Sequence, residues 1–496
     1  MSSIQVICGD KSFAVRFNAG ETLLSALRRA GVSIPAACVG RGKCGKCRVS
    51  VNSVSRLACK VIPTDGDVIT LPETSGGMIL TDTIEISPVE TNETGYAAAV
   101  DLGTTTVAVR LYELSSSREL GTVSSWNAQA AYGADVISRI QHTIDDPDGL
   151  KTLSDRIRKQ VSELIALLMR WHELRELKTI VIAGNTVMQH IFAGCEVKSI
   201  AVAPFKPETL FWEPVRDELL GAQIVYSPCV AGYVGGDITA GLLASGLYEK
   251  DGCFLFLDIG TNGEMAIGGR GGFTCCAVAS GPAFEGAGIS SCGMAGIGGA
   301  ISHVRYDNGF LYDVIGSETP RGLCGSGLID LVAALIRLGV IDESGRLLPP
   351  CDVPEKMRRY VTADDNGNGV FHLTPEVYLT AADVRNLQLA KAAVAAGVQV
   401  LLNSRGKSAE ELDGVYIAGG FGTYIDIGSA MDIGMLPRLG KSLLHCLGNT
   451  SLAGASMAAL SSERRGTLLE IAEKCGYIEL SGRQDFTQYF TDNMTF

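Results

Sequence analysis

Cys38, Cys44 and Cys47 lie in the run AACVGRGKCGKCRV at residues 36–49, spaced C-x5-C-x2-C, and Cys59 follows in RLACK. Four thiolates are what a two-iron, two-sulfide (2Fe-2S) cluster requires. Gly40, Gly42 and Gly45 let the backbone curl closely around a small inorganic core and turn N–H groups toward its sulfides. Arg41, Lys43 and Lys46 leave the rim basic, which suits a cluster of net negative charge. The alternative for a C-x2-C pair is structural zinc. Zinc sites usually pair two short knuckles, whereas here a five-residue gap precedes the pair and the fourth cysteine stands apart, which favours the cluster.

A second chemistry is written in two related turns, DLGTTT at 101–106 and DIGTNG at 258–263. Asp101 and Asp258 each end an apolar strand. Gly103, Thr104, Thr105 and Thr106 in one turn, and Gly260, Thr261, Asn262 and Gly263 in the other, then supply N–H, hydroxyl and amide donors. Two such turns facing each other clamp the β- and γ-phosphates of ATP, while the carboxylates orient Mg²⁺ through its waters. AGGFG at 418–422, with Gly419, Gly420 and Gly422, offers a flat surface to an adenine or ribose. Gly184 and Asn185 stand in a similar strand-end run. Glu264 and Asp237, beside these turns, are candidates to position an attacking water. No Walker A motif is present.

These groups need elements to hold them. Residues 4–8 and 13–17 alternate around Gly9-Asp10-Lys11 and predict a hairpin. Residues 22–30 place Leu23, Leu24, Leu27 and Ala30 on one helical face, and residues 47–51 and 67–71 predict return strands. Residues 1–75 thus form a small first domain. Residues 76–95 form a connector, in which 83–87 is a possible strand. Beyond it the chain echoes itself: YAAAVDLGTTTVAVRLYE at 96–113 is answered by CFLFLDIGTNGEMAIGG at 253–269, and TIVIAGNTV at 179–187 by GVYIAGGFG at 414–422. Two copies of one plan imply two lobes around a cleft, at 96–250 and 251–496. Residues 156–169 and 387–402 predict an amphipathic and a buried helix.

Forty-two basic against 54 acidic residues give a net charge of -12, against a phosphate-tracking nucleic-acid protein. There is no leader-like start and no apolar run of membrane length, so the expectation is a cytoplasmic protein with no membrane partner. Its 15 cysteines then read as ligands plus reduced thiols, with Cys195, Cys253, Cys275, Cys276 and Cys324 as small buried residues. The six His, including His190 and His303, form no spaced metal pair and read as surface or packing residues, as Met188, Met265 and Met294 read as packing.

Residues 1–75 resemble the β-grasp ferredoxins, with one departure: only 11 residues separate Cys47 from Cys59, where plant-type members have a much longer excursion. The order of the two phosphate turns, the two strand-end glycine runs and Ala453-Gly454-Ala455 resembles the superfamily of acetate and sugar kinases, heat-shock ATPases and actin. The fold class implied is α/β multidomain: a ferredoxin-like head, then a duplicated actin-like (ribonuclease H-like) two-lobed ATPase. A doubly wound fold without nucleotide is the plainer alternative.

Head and ATPase together, with YGADVISRI at 132–140, SGPAFEGAGISSCGMAG at 280–296, GLCGSGLID at 322–330 and DVRNLQLAKAA at 383–393, resemble the reductive activators of corrinoid proteins. That resemblance implies ATP-supported one-electron reduction of an inactive Co(II) corrinoid to Co(I) on a partner methyltransferase protein. It also implies an upstream low-potential electron donor and leaves a homodimer open. Ser290 and Ser291 are then candidates for a corrinoid-facing surface. Longer relatives are expected to carry a middle domain that this chain lacks. The competing readings are an activase for a radical dehydratase or reductase and a nucleotide-gated electron-transfer adaptor.

Overall fold

The computed structural model describes residues 3–8, 11–18, 20–29, 47–71, 93–133, 135–260, 262–286, 289, 293–294, 296–419 and 424–496. Cys38, Cys44, Thr261, Ser290, Ser291, Gly420, Gly422 and the 83–87 segment lie outside the described residues.

In the first domain β1 (Ser3–Cys8) pairs antiparallel with β2 (Lys11–Arg16), and Cys8 faces Lys11, so Lys11 belongs to a strand rather than to the turn. Helix α1 (Leu23–Arg29) follows. Three strands return, β3 (Arg48–Val51), β4 (Val54–Leu57) and β5 (Val68–Thr70), in a sheet of order β2-β1-β5-β3-β4. Strand β5 runs parallel to β1. Leu23, Leu24 and Leu27 pack on Ile4, Val6, Val49 and Ile69, the small core that the alternating strand pattern requires. The sequence reading missed β4. Asn52 and Ser53, at φ 48° and 68°, make the two-residue left-handed turn that twisted hairpins favour, with Ser in the place Gly usually takes.

The first lobe carries β6 (Tyr96–Leu102), β7 (Thr106–Glu113), β8 (Arg118–Trp126), α2 (Val136–Asp145), α3 (Gly149–Trp171), β9 (Thr179–Ala183), α4 (Thr186–Ala193), β10 (Glu218–Leu219), β11 (Ala222–Tyr226) and α5 (Gly236–Ser245). Its sheet order is β10-β11-β9-β6-β7-β8.

The second lobe repeats the plan with β12 (Phe254–Ile259), β13 (Gly263–Gly269) and β14 (Gly272–Val278). Then come β15 (Ala300–Tyr306), β16 (Phe310–Val314), β17 (Gly322–Leu323), α6 (Gly325–Arg337), β18 (Val361–Ala363), β19 (Gly369–His372), β20 (Tyr378–Leu379) and α7 (Ala381–Ser404). Last are β21 (Gly414–Ala418), α8 (Ile427–Asp432), β22 (Leu444–Gly448), α9 (Thr450–Leu460), α10 (Ser462–Glu473), β23 (Cys475–Tyr477) and α11 (Gln484–Asp492). The second large sheet runs β22-β21-β12-β13-β14-β23. Asp101 faces Ala183 across the parallel pair β6/β9, and Asp258 faces Ala418 across β12/β21, so the duplication seen in sequence is a duplication of register.

The leading strands are apolar almost without alternation because both faces are covered. On the outside, α3 packs Ile157, Val161 and Ile165 against the β7 side of its sheet, where Val107, Val109 and Leu111 lie, and α7 packs Leu387, Val394 and Val398 against β13 and β14, where Met265, Ile267, Cys276 and Val278 lie. Between the sheets lie α5 and α9, where Ile238, Leu242, Leu452 and Ala455 meet Ala97, Ala99 and Val181 from one sheet and Phe254 and Phe256 from the other. Gly454 makes this layer thin, since a Cβ there would stand 2.0 Å from the Ala240 carbonyl oxygen. The lobes therefore share one core through a helix pair in near contact.

Candidate functional site

The hairpin β3–β4 and a one-turn helix at Ala58–Lys60 bring Cys47 and Cys59 together, with the Ala58 N–H donating 2.7 Å to the Cys47 carbonyl. Their sulfurs, neither of them in a disulfide, are 3.2 Å apart. Two thiolates on one tetrahedral metal stand about 3.8 Å apart at a metal–sulfur bond of about 2.3 Å, so a small opening would let them share an iron. A tight hairpin thus brings the two sulfurs together across only 11 intervening residues.

In the cleft, β6 delivers Asp101 to the N-terminus of α9 in the opposite lobe. Asn449 Nδ2 donates 2.7 Å to one carboxylate oxygen and Ser451 Oγ 2.8 Å to the other. Asn449 also caps α9, accepting from the Leu452 N–H. Asn185, the cap of α4, donates 3.0 Å from Nδ2 to Thr104 Oγ1, joining two predicted motifs 81 residues apart. Gly103 and Gly184 are required by space: a Cβ would meet the Thr106 carbonyl oxygen at 2.5 Å and the Leu102 carbonyl oxygen at 2.7 Å. Gly419, at φ +89°, lies so close to Asp258 that a Cβ would fall 2.6 Å from its Oδ1. Gly419, at the end of β21, therefore lies directly against the Asp258 carboxylate at the end of β12.

Glu264 stands directly across β12/β13 from Asp258, where the first lobe has Ala108 opposite Asp101. Directly opposed residues share a face. The first turn of α5 adds Asp237, whose N–H donates 3.2 Å to the Gly184 carbonyl. Four carboxyl groups thus converge. Burial pushes Asp101 up. Burial, then the Asp101 charge, lifts Asp258 to about 7. Burial, then Asp258 and Asp101, lifts Asp237 to about 8. Glu264 is driven well above the carboxylate range by burial and then by Asp237 and Asp258. Such a cluster holds protons or is neutralised by a cation. Among the described residues no group of three or more His, Cys, Asp and Glu is arranged to hold a metal ion directly.

In sequence Asp101 and Asp258 are equivalent, but in the fold Asp101 has both oxygens engaged by the other lobe. Asn449 and Ser451 are absent from the sequence-predicted site, although an Asn ahead of the small-residue helix is a recognisable cap signal. His190 is buried against the Thr186 carbonyl at 2.7 Å, a packing role. His303 is not ordinary: its Nδ1 is 3.0 Å from Asp330 Oδ2, which raises its pKa, and both line a cavity of about 590 Å³ between β15, α6 and α8. Cys275, Cys276 and Cys324 are buried, whereas Cys195 and Cys253 are only half-buried.

Three family models match most of the chain: a 2Fe-2S iron-sulfur cluster binding domain at 7–72, the RACo middle region at 96–250 and the C-terminal domain of RACo, the ASKHA domain, at 252–496. The region named middle coincides with the first lobe at 96–250. A corrinoid activation enzyme, RamQ, of Eubacterium limosum is 34% identical over 424 residues, 81% of this chain and 70% of that protein. A [Co(II) methylated amine-specific corrinoid protein] reductase of Methanosarcina barkeri is 24% identical over 446 residues, 81% of this chain and 77% of that protein. The solved structure of a reductive activator for corrinoid, iron-sulfur protein matches 100% of this chain and 98% of its own, with a TM-score of 0.72 at 30% identity.

Proposed function

The chain belongs to the family of corrinoid-activating enzymes, and from that premise we propose that it is an ATP-dependent iron-sulfur reductase. It delivers one electron to an inactive Co(II) corrinoid on a partner protein, restoring the Co(I) state that accepts a methyl group. The observation that carries this reading is the end-to-end match to a reductive activator, head and two-lobed ATPase on one chain. No helix among the described residues is long and apolar enough to cross a membrane.

The described residues fit the groups this function needs. Cys47 and Cys59 present two sulfurs side by side, and with Cys38 and Cys44 they would hold a 2Fe-2S cluster. When bound, such a cluster supplies one-electron chemistry near about -400 mV. The four carboxyl groups around Asp258 call for positive charge, as Mg²⁺ with ATP provides.

In this reading Gly103 to Thr106 and Gly260 to Gly263 cradle the phosphates, Gly184 and Asn185 brace the first turn, and Gly419, Gly420 and Gly422 face the nucleoside. Asp258 orients the hydrated Mg²⁺. Glu264 and Asp237 hold or take a proton beside the attacking water, and Asp101 ties nucleotide contact to the opposite lobe. Ser290 and Ser291 are assigned to the corrinoid-facing surface. An upstream low-potential donor returns the electron after each turnover, in the cytoplasm.

ATP need not touch the electron. Co(I) is a strong reductant, so transfer from a ferredoxin-like potential is uphill. A one-electron couple shifts by about 59 mV per tenfold change in equilibrium constant, so about 4 kcal/mol of ATP-dependent differential binding is worth roughly 170 mV. Closing the lobes on ATP biases the docked state by that route.

The test is direct. Protein reduced anaerobically is mixed with Co(II) corrinoid protein, and the Co(II) and Co(I) absorption bands are followed with and without Mg-ATP. ATP-dependent bleaching of the Co(II) band supports the proposal. ATP hydrolysis with no cobalt response would move the chain to the radical-enzyme activases, and ATP binding without turnover to the gated adaptors.

A further inference from the structure

Beneath the first phosphate turn lies a cation that the site as described leaves without a role. Arg139, in the run YGADVISRI, is fully buried on α2. Its Nη2 donates 2.6 Å to the Thr104 carbonyl, its Nε 3.1 Å to the Gly133 carbonyl and its Nη1 3.2 Å to Oε1 of Gln129, with the Met188 sulfur 2.9 Å from Nη1. Each of these acceptors is neutral. Taking a guanidinium out of water is costly, and here only the nearby Asp135 charge offsets part of that cost.

A second donor acts on the neighbouring peptide. Asn127 Nδ2 donates 2.8 Å to the Gly103 carbonyl, while its Oδ1 accepts from the Gln129 N–H at 2.9 Å. A carbonyl and the following N–H lie in one plane and point in opposite directions. Drawing the Gly103 carbonyl toward Asn127 therefore turns the Thr104 N–H the other way. Drawing the Thr104 carbonyl toward Arg139 withdraws an oxygen that would repel an incoming phosphate. Asn185 meanwhile holds the Thr104 side chain.

We propose that Arg139, with Asn127, is a positioning residue for phosphate binding: the pair holds the two turn carbonyls back, and the buried guanidinium adds positive potential behind the turn. This rests on the reading that residues 101–106 bind the phosphates of ATP. Neither residue touches the nucleotide. Their work is to fix, before ATP arrives, a peptide orientation that the Gly-Thr turn alone does not hold.

The experiment uses the full iron-loaded chain under anaerobic conditions and measures Mg-ATP and adenosine affinity by calorimetry for wild type, Arg139→Met, Arg139→Lys and Asn127→Ser. Mg-ATP affinity should fall about tenfold in Arg139→Met and Asn127→Ser, while adenosine affinity stays within about twofold. Arg139→Lys should recover part of the loss. Asn127→Ser keeps a side-chain oxygen for the Gln129 N–H, so it reports on the turn even if Arg139→Met does not fold. Equal losses for Mg-ATP and adenosine, or no loss for either, would overturn the inference. Wild type that binds adenosine but gains nothing from the phosphates would overturn the nucleotide reading itself, a result distinguishable from a failure of the variants alone.

Discussion

The Asp101 carboxylate at the end of β6 accepts a 2.7 Å hydrogen bond from Asn449, which heads α9 in the opposite lobe 348 residues later. One residue of the first phosphate turn is thus wired to the helix that carries the inter-lobe contact. Asn449→Leu should remove both the link and the cap of α9. A buried carboxylate robbed of a donor loses about 1–3 kcal/mol, so Mg-ATP affinity is expected to drop between about fivefold and about a hundredfold with the cluster spectrum unchanged. An unchanged affinity would show that the link does not couple the lobes.

The second prediction concerns the thiols. Cys44→Ala or Cys59→Ala should abolish the 2Fe-2S absorption and electron delivery yet leave Mg-ATP binding within about twofold, and Asp258→Ala should do the reverse. Iron and acid-labile sulfide analysis beside nucleotide calorimetry decides it. Joint loss of both properties from either change counts against separable modules.

Gly419→Ala probes the close approach of Gly419 to Asp258. Its methyl would meet Asp258 Oδ1 at 2.6 Å in a backbone conformation that L-residues rarely adopt. ATP-dependent cobalt reduction should fall at least tenfold with the cluster intact. Wild-type turnover would mean that Asp258 is not held where it is needed.

The carboxylate cluster sets a pH dependence. Asp258 at about 7 and Asp237 at about 8 lie above their unfolded values of about 3.9, so the folded chain binds more protons than the unfolded one. Nucleotide-free stability should therefore decline as pH rises from about 4 through about 8. Mg²⁺ favours the ionised forms, so binding Mg-ATP releases protons and its stabilising increment grows between about pH 6 and 8.5. Thermal melts across that range, and calorimetry in buffers of different ionisation enthalpy, would reveal a flat increment if the cluster is not the Mg²⁺ site.

Much of this was readable in the chain itself. Motif identity, order and duplication are local properties: Asp101 and Asp258 close apolar strands, glycines follow where only glycine fits, and the cysteine spacing names its chemistry. Strand alternation and helical faces located α1, α3 and α7 because burial imposes periodicity on neighbours in sequence. What sequence could not supply were partnerships across hundreds of residues. Asn449 is legible as a helix cap but not as the donor to Asp101, and Arg139 is legible as a surface-type cation until α2 buries it under Thr104. Likewise Ala108 and Glu264 occupy equivalent positions in the two repeats, yet only the folded cleft makes one inert and gives the other a carboxylate neighbour. Local pattern determines which elements form. Long-range packing decides which polar groups lose water together, and that shared loss of water makes the cluster a site.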